Sequence, residues 1–361
     1  MSVELLREGG AQFYAEPAKT SVGPASCESA VFYNPAMRHS RDVSVCLCGS
    51  EGFGAGKRLL DGMAASGVRG LRLAVEACPE AEVVINDRDS DAFDAIKKGI
   101  ERTGAANAAA SNEDLRQMLV RGKYDYVDVD PFGSPVPFVD AAVRACRRGG
   151  ILAVTATDTA ALCGTFPKTC ERRYQARSLL NECAHELGAR ILAGFAVRAG
   201  AVHDIAAKPI LSYAREHYVR VYLRVRAGAG RADALLKEMG YANFDGEGGR
   251  RTTAHPEEKR WAGPLWAGEC FDAATLDAML EFESGSNLVL GKDLRVWRAE
   301  SGGPPYHHDV AWLSRKFKAS QPRMERLMAG LKESGFFAER TSFAPTGLRT
   351  DAPVEEIRKF F

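Results

Sequence analysis

Strand-like and helix-like segments alternate from about residue 59 to residue 226, and this alternation limits the chain to a small group of α/β folds. Such a pattern builds βαβ units, whose strands run parallel and whose helices cover both faces of the sheet. Past residue 228 the pattern changes to amphipathic helices separated by long loops that contain glycine and proline. The sequence therefore predicts a doubly wound α/β domain, with its N-terminal segment, over residues 1–228 and a smaller α+β domain over residues 229–361.

One strand-like segment leads into a stiff loop that carries an acid and an aromatic ring. The segment is Tyr124–Val129, and the loop after it consists of Asp130, Pro131, Phe132, Gly133, Ser134 and Pro135. A carboxylate accepts hydrogen bonds from N–H groups, and an aromatic ring stacks on a base, so the loop suits a flat heterocycle that bears an amino group. On local sequence alone, an ordinary Asp-Pro turn is the competing interpretation.

Two further strand-like segments end in acids. Asp61 ends the first, just before a turn of small residues that leads into a helix at about residue 68, and Asp87 ends the second. With Asp130 they place three carboxylates at the carboxyl ends of parallel strands, where open α/β sheets bind ligands, and the acid after the second strand suits a ribose diol. The turn lacks the full G-x-G-x-x-G spacing, which disfavours a dinucleotide and is compatible with S-adenosylmethionine, a cofactor without a pyrophosphate. A helix N-cap is the alternative for Asp87.

Arg69 is predicted to lie in the first turn of a helix, where its charge opposes the helix dipole. This position indicates a carboxylate partner, such as the methionine end of the cofactor. A surface arginine is the alternative.

The nine cysteines are scattered along the chain. The nearest pair, Cys46 and Cys48, is predicted to lie on one face of a strand and to pack in the core. An odd, scattered set of cysteines suits reduced thiols in a cytosol. We see neither a targeting segment nor an apolar stretch long enough to span a bilayer. We therefore expect a cytoplasmic protein that has no membrane contact and no obligatory protein partner.

Basic residues are in excess over residues 169–230, where ten Lys and Arg stand against five Asp and Glu, although the net charge of the chain is only +1. Arg172 and Arg173 beside Tyr174, and separately residues 315–318, combine cations with an aromatic ring in the manner of contacts to an RNA backbone. A solvated protein surface is the alternative. We predict an RNA-binding surface built from both domains.

Six stretches form a set that spans nearly the whole chain. They are residues 31–35 with Arg41 and Asp42; 60–69; 130–135; 209–213 with 217–220; 263–266; and, near the C-terminus, 304–306, 340–341 and 347–353. In this order they resemble the archaeal and eukaryotic tRNA guanine-N2 dimethyltransferases, which modify the guanosine at position 26. The resemblance implies a class I Rossmann-like methyltransferase sheet, S-adenosyl-L-methionine as methyl donor and tRNA as substrate.

The resemblance also implies roles for individual residues. It implies that Asp130 is the catalytic acid, and we expect Phe132 to stack on the target base. Arg41 and Arg69 are expected to bind the carboxylate of the cofactor, and Asp87 its ribose. Asp114 is expected near the adenine, where the next residue, Leu115, stands in place of an expected alanine. Asp61 is also expected to contact the cofactor. Substrate contacts are expected from Pro131, Gly133, Ser134, Arg172 and Arg173.

Many members of that family carry four cysteines just before the Gly-Pro-Leu-Trp stretch, as a structural zinc site does. Residues 241–260 of this chain contain no cysteine. Neither structural zinc nor another metal is therefore expected.

The residues alone leave other functions open. A methyltransferase for another exocyclic amine, at guanine N2 elsewhere in tRNA or at adenine N6, would use the same acid-Pro-aromatic loop. A non-catalytic RNA-binding scaffold is the alternative from a different class. The pair His307 and His308, which follows two prolines, is predicted to mark a loop and not to be catalytic, and Trp266 is expected to be a core anchor.

Overall fold

A computed structural model of the chain describes residues 3–16, 31–256 and 260–361. The described chain forms two compact units. The first comprises Met1–Thr155, Arg224–Ala227 and Asp277–Lys292, and the second comprises Ala156–Leu223, Gly228–Leu276 and Asp293–Phe361. The predicted division into residues 1–228 and 229–361 is not the same as these units, and it stays a prediction.

The first unit begins with a hairpin and a helix. Strands β1 (Glu4–Glu8) and β2 (Ala11–Ala15) pair antiparallel. Helix α1 (Arg38–Ser50) follows a 3-10 turn at Pro35–Met37. Cys46 and Cys48 both lie on α1, so their predicted placement on a strand is wrong.

The reason for this error is the burial of α1. Residues 43–48 are all buried, so an apolar run rich in valine and cysteine fits a helix as well as a strand. Helical residues two positions apart point about 200° away from each other, so the two thiols do not share a face. Burial raises the pKa of the Cys46 thiol to about 12, as expected of a packed and unreactive cysteine.

Of the described strands, seven form one sheet. In chain order they are β3 (Arg58–Asp61), β4 (Glu82–Asn86), β5 (Ala108–Ser111), β6 (Tyr124–Val129), β7 (Cys146–Ala156), β8 (Ile205–Arg215) and β9 (Tyr218–Ala227). Their spatial order is β5-β4-β3-β6-β7-β9-β8, and the first five in this order are parallel neighbours. The predicted doubly wound α/β sheet is confirmed.

Helices connect the parallel strands. They are α2 (Val68–Arg72), which continues as a π-helical turn at Leu73–Ala77, then α3 (Ser90–Thr103), α4 (Leu115–Arg121) and α5 (Val136–Ala145). Strand β6 is buried along its whole length. A strand covered on both faces needs no regular alternation of polar and apolar residues, and the two acids of β6, Asp125 and Asp128, are buried together with its tyrosines and valines.

Beyond β7 the chain forms further helices and two small antiparallel sheets, of order β11-β10-β12 and β13-β15-β14. The helices are α6 (Thr159–Leu162), α7 (Pro167–Tyr174), α8 (Ala184–Ala201), α9 (Ala229–Leu236), α10 (Ala273–Ser284), α11 (Gly291–Glu300), α12 (Val310–Phe317), α13 (Met324–Glu333) and α14 (Val354–Arg358). The strands are β10 (Met239–Phe244), β11 (Arg250–Thr253), β12 (Trp261–Trp266), β13 (His308–Asp309), β14 (Ala338–Arg340) and β15 (Gly347–Thr350). Trp266 is buried, as predicted for a core anchor.

A buried network of charged side chains lies within the second unit. Glu186 on α8 accepts hydrogen bonds from Arg190 Nε at 2.9 Å and Arg349 Nη1 at 3.1 Å, and it lies 2.7 Å from His307 Nδ1. Arg349 Nε also donates to Glu300 at 3.0 Å. His307 lies outside any helix or strand, as predicted, and it is fully buried as part of this network.

Within the three described segments, we find no helix that combines the length and the apolar character needed to cross a bilayer.

Candidate active site

The carboxyl end of β3 is the centre of the candidate site. Strand β3 has β4 on one side and β6 on the other, and the chain order of the strands reverses at this point. Asp61, the last residue of β3, is opposite Asp128 of β6. Ligands of open α/β sheets bind at such a switch point, in the crevice outside the carboxyl ends of the strands.

Arg69 binds the acid of the Asp-Pro-Phe loop. It lies in the first turn of α2, as predicted, and only 6% of its surface is exposed. Its Nη2 forms an ion pair with Asp130 Oδ2, while its Nη1 donates to Ser44 Oγ at 2.7 Å and lies 3.6 Å from Asp128 Oδ2. The carboxylate partner expected of Arg69 is thus supplied by the chain itself, and a contact from Arg69 to the cofactor stays a prediction.

Asp61 is held beneath this ion pair. Its Oδ2 accepts a hydrogen bond from the Gly70 backbone N–H at 2.9 Å, which ties β3 to α2. Burial, together with the negative charge of Asp128, raises the pKa of Asp61 to about 7. The Asp61 carboxyl group therefore has a structural role, because it joins β3 to α2, in addition to any contact with the cofactor.

We expect Asp61→Asn to flatten the pH dependence of stability between about pH 4 and pH 7. The unfolded pKa is about 3.9, so over this window the folded state binds more protons and the wild-type protein loses stability as the pH rises. Asparagine keeps an acceptor for the Gly70 N–H and carries no charge. The loss in unfolding free energy from pH 5 to pH 7.5, measured by urea titration, should be smaller in the variant by about 2 kcal/mol. Identical pH profiles of the wild type and Asp61→Asn would contradict the raised pKa of Asp61. The substitution Asp140→Asn, at an exposed acid, serves as the control.

Asp87, directly after β4, binds the small-residue turn. Its Oδ2 accepts from the Ala65 N–H at 2.8 Å and its Oδ1 accepts from the Asp89 N–H at 3.0 Å. Asp89, not Asp87, is the N-cap of α3, so the N-cap alternative for Asp87 is wrong. Each carboxylate oxygen has two lone-pair sites, so Asp87 keeps the capacity to accept hydrogen bonds from a ribose diol.

The turn after β3 needs glycine because it packs closely against the rest of the site. A Cβ atom on Gly62 would lie 2.8 Å from the Asp128 carbonyl oxygen and 2.8 Å from a Leu115 methyl group, so only glycine fits there. Gly67 has a φ of +76°, a left-handed conformation that glycine adopts without strain. The backbone of the turn is therefore closely packed against the end of β6, and Leu115 at the start of α4 packs beside Gly62.

Arg41 takes part in a separate cluster of charges. Its Nε donates to Glu8 Oε1 at 2.7 Å, and Glu8 also accepts from Arg72 at 2.8 Å and from the Tyr33 hydroxyl at 2.9 Å. Burial would raise the pKa of Glu8, but the two arginines lower it to about 2. Arg41 therefore anchors the N-terminal hairpin through Glu8, and its contact with the cofactor carboxylate stays a prediction.

Asp114 lies at the start of α4. Its Oδ1 accepts from the Arg116 N–H at 2.8 Å, which makes it the N-cap of this helix, and its Oδ2 is 2.7 Å from Arg116 Nη2. The neighbouring Leu115 packs against Gly62 in the turn after β3, and the place of Asp114 near the adenine stays a prediction.

Phe132 presents an aromatic surface beside Asp130. Half of this residue, 51%, is exposed, and its ring meets Phe32 edge to face with 4.9 Å between the ring centroids. Gly133 adopts a φ of +83°, which turns the chain sharply after the ring. In the same loop Pro131 is buried, and Gly133 and Ser134 are half-buried. Phe32 was not predicted as a site residue, although it lies in the first stretch of the family resemblance.

The two arginines predicted to contact the substrate are on α7, in the second unit, and both are exposed. Arg173 Nη1 donates to Asp158 at 2.8 Å, and Arg172 Nη2 donates to Thr169 Oγ1 at 3.2 Å. Across the described residues, no group of three or more His, Cys, Asp or Glu side chains is placed to hold a metal ion.

This sheet order, with a glycine turn after its first strand, an acid after the second and an Asp-Pro-Phe loop after the fourth, defines a Rossmann-like S-adenosylmethionine-dependent methyltransferase. The chain belongs to the family of N2,N2-dimethylguanosine tRNA methyltransferases, whose model matches residues 10–361. The family resemblance found in the sequence is therefore confirmed.

Individual relatives match over almost their full length. The tRNA (guanine(26)-N(2))-dimethyltransferase of Thermococcus kodakarensis is 35% identical over 356 residues, which cover 92% of this chain and 94% of the relative. That of Pyrobaculum neutrophilum is 37% identical and covers 99% of both chains. The solved complex of Trm1 from Pyrococcus horikoshii with S-adenosyl-L-methionine superimposes with a TM-score of 0.89 at 31% identity, covering 99% of each chain.

Proposed function

We propose that this protein transfers one or two methyl groups from S-adenosyl-L-methionine to the exocyclic N2 of a guanosine in tRNA, at position 26. One structural observation carries the proposal: at the switch point of the sheet, Arg69 holds Asp130 next to the half-exposed ring of Phe132. Family membership supports the choice of donor and of substrate. No observation favours another exocyclic amine or a non-catalytic scaffold.

The residues around the turn after β3 fit the cofactor. Asp87 accepts hydrogen bonds from the ribose hydroxyls, and Leu115 offers an apolar contact for the adenine. Arg41 and Arg69 are the two cations that bind the carboxylate of the cofactor. When bound, S-adenosyl-L-methionine supplies an electrophilic methyl group on a sulfonium, so the protein contributes mainly positioning and electrostatics.

Asp130 activates the amine of the target base. The N2 lone pair of guanine is delocalised into the ring, so the amine is a poor nucleophile. A carboxylate that accepts hydrogen bonds from N2–H stabilises the positive charge that develops on nitrogen, and it takes the proton directly or through water. A carboxylate has about four lone-pair sites, so Asp130 can accept from Arg69 and from the amine together.

Phe132 stacks on the extruded base. The ring is half-exposed and lies on a loop that two prolines stiffen, so little conformational freedom is lost when a base binds. Its edge-to-face contact with Phe32 fixes the orientation of the ring. Outside the target base, tRNA contacts come from residues 229–361 and from the exposed arginines of α7.

The direct test is incubation of the protein with an unmodified tRNA transcript and labelled S-adenosyl-L-methionine, followed by nucleoside analysis and mapping. We expect N2-methylguanosine and N2,N2-dimethylguanosine at position 26. Label in N6-methyladenosine, or at a different guanosine, would assign the protein to one of the alternatives. Binding of tRNA without any methyl transfer would identify a scaffold.

Replacement of Asp87 by alanine should weaken the cofactor by about tenfold to a hundredfold, because the ribose loses its acceptor and the turn loses its bond to Ala65. Titration calorimetry measures the change. Asp94→Ala, an exposed acid on α3 that pairs with Lys97 at 2.7 Å, is the matched control and should bind as the wild type does. Unchanged cofactor affinity in Asp87→Ala would remove Asp87 from the site.

A further inference from the structure

Asp128 is a second acid close to the Asp-Pro-Phe loop, two residues before Asp130. It lies in β6, opposite Asp61 of β3, and it is fully buried. An ionised carboxylate is costly to bury unless charges and hydrogen bonds compensate it. Asp128 has no part in the methyl transfer described above, so the groups that compensate its burial indicate what it does.

Tyr126 fixes the carboxylate of Asp128. Its hydroxyl donates to Asp128 Oδ2 at 2.6 Å. The two residues are two positions apart in β6, so their side chains project from the same face of the sheet. Tyr126 is also fully buried, and close packing restrains its ring. The hydrogen bond therefore sets the direction of the Asp128 carboxylate.

One terminal nitrogen of Arg69 is bound by residues of two different elements. Asp128 Oδ2 in β6 lies 3.6 Å from Arg69 Nη1. The same nitrogen donates to Ser44 Oγ at 2.7 Å, and Ser44 is on α1. The Ser44 hydroxyl in turn donates to the Ser40 carbonyl oxygen at 3.0 Å, one helical turn earlier. Strand β6 and helix α1 therefore both hold Nη1.

The other terminal nitrogen of Arg69 pairs with Asp130. A guanidinium is planar and rigid, so contacts that fix Nη1 also fix the direction in which Nη2 points. Arg69 is buried, whereas 18% of the Asp130 side chain is exposed on the loop after β6. The orientation of the more accessible carboxylate thus depends on a buried arginine and on the groups that hold it.

We propose that the buried groups around Arg69 are positioning residues for methyl transfer, and that they act through Arg69 on Asp130. These groups are Ser44, Tyr126 and Asp128, which we call the Arg69 clamp. The inference rests on the proposed function, since it takes Asp130 as the acceptor for guanine N2–H. A carboxylate held in advance needs no reorganisation when charge develops on the amine, whereas a displacement of about 1 Å can cost about 10²-fold in rate.

The test uses the full-length protein and the variant Tyr126→Phe, which removes one hydroxyl and keeps the buried ring. We expect the rate constant of single-turnover methyl transfer, at saturating tRNA and cofactor, to fall by about tenfold, with KM for tRNA unchanged. Tyr124→Phe is the matched control, because Tyr124 is buried in the same strand and its hydroxyl lies beside Gly122. This control should match the wild type.

Ser44→Ala removes the contact that α1 makes with the same nitrogen of Arg69, so it should lower the rate constant in the same direction. It also keeps the test available if Tyr126→Phe does not fold, which circular dichroism would show. Calorimetry measures cofactor affinity in both variants. A loss confined to cofactor affinity, with a wild-type rate constant at saturation, would mean that the clamp serves the cofactor and not Asp130, and it would overturn the inference.

A double-mutant cycle separates positioning from a general weakening of the fold. If the clamp acts through Asp130, Tyr126→Phe lowers the rate constant in the wild type and has no further effect on the residual rate of Asp130→Ala. The same fold-loss in both backgrounds, or wild-type rate constants in both Tyr126→Phe and Ser44→Ala, would overturn the inference. If Asp130→Ala itself keeps wild-type turnover, the proposed role of Asp130 fails instead, so the two failures are distinguishable.

Discussion

Replacement of Asp130 by alanine is expected to lower kcat for methyl transfer to tRNA by about 10²- to 10⁴-fold, the contribution of a positioned general acid or base. The variant removes the group that accepts hydrogen bonds from guanine N2 and stabilises the charge developing there. Single-turnover transfer of a tritiated methyl group, at saturating tRNA and cofactor, isolates this step from binding.

The structure also indicates what this substitution leaves intact. Without Asp130, buried Arg69 keeps Asp128 at 3.6 Å and the Ser44 hydroxyl at 2.7 Å, so the turn and α2 should persist. Cofactor binding, measured by calorimetry, should therefore survive in Asp130→Ala. Asp130→Asn keeps the shape of the side chain and should still be strongly impaired, whereas the exposed Asp140→Ala on α5 should be fully active. Wild-type turnover in Asp130→Ala would remove Asp130 from the mechanism.

Glu186→Ala should lower the free energy of unfolding by about 3–5 kcal/mol, the typical effect of removing one partner from a buried ion pair. Glu186 is fully buried and accepts hydrogen bonds from Arg190, Arg349 and the backbone N–H groups of Tyr306 and His307. Its loss leaves Arg190 without a carboxylate in a site that water does not reach. Urea or thermal unfolding followed by circular dichroism measures the change.

A surface pair in the same unit provides the control for this prediction. Glu325 lies 2.7 Å from Arg340, yet 74% of its side chain is exposed, so Glu325→Ala should leave the free energy of unfolding nearly unchanged. Equal effects of the two substitutions would contradict a structural role for the network.

Burial alone would raise the pKa of Glu186, but Arg349 and Arg190 hold it well below its usual range. The contribution of Glu186 is therefore full at neutral pH and is lost as the pH falls below about 4, the ordinary pKa of a glutamate.

Local sequence patterns predicted the elements that carry the candidate site. The tyrosines and valines of Tyr124–Val129 indicated β6 because aromatic and β-branched residues favour strands. The acids after β3, β4 and β6 were recognisable because parallel strands bring their carboxyl ends to one edge. The family was recognisable from short stretches in a fixed order. Hydrophobic periodicity and turn residues act over a few positions, so they can be read without knowledge of distant contacts.

The same reasoning failed where local patterns are ambiguous. Cys46 and Cys48 alternate with apolar residues as in a strand, but α1 is buried widely enough to hide its helical period. The prolines before His307 correctly indicated a loop, but the burial of His307 depends on Glu186, which is distant in sequence, and was not predicted.

The amino-acid sequence alone thus determined the alternation of strands and helices over about residues 59–226, the family, and the acids and aromatic ring at the carboxyl edge of the sheet. Only the tertiary structure decided that Arg69 binds Asp130, that Arg41 binds Glu8 and that Glu186 gathers two arginines and a histidine from distant positions. The physical reason is that the partner of a charge, and the pKa of a buried acid such as Asp61, depend on groups that only folding brings together.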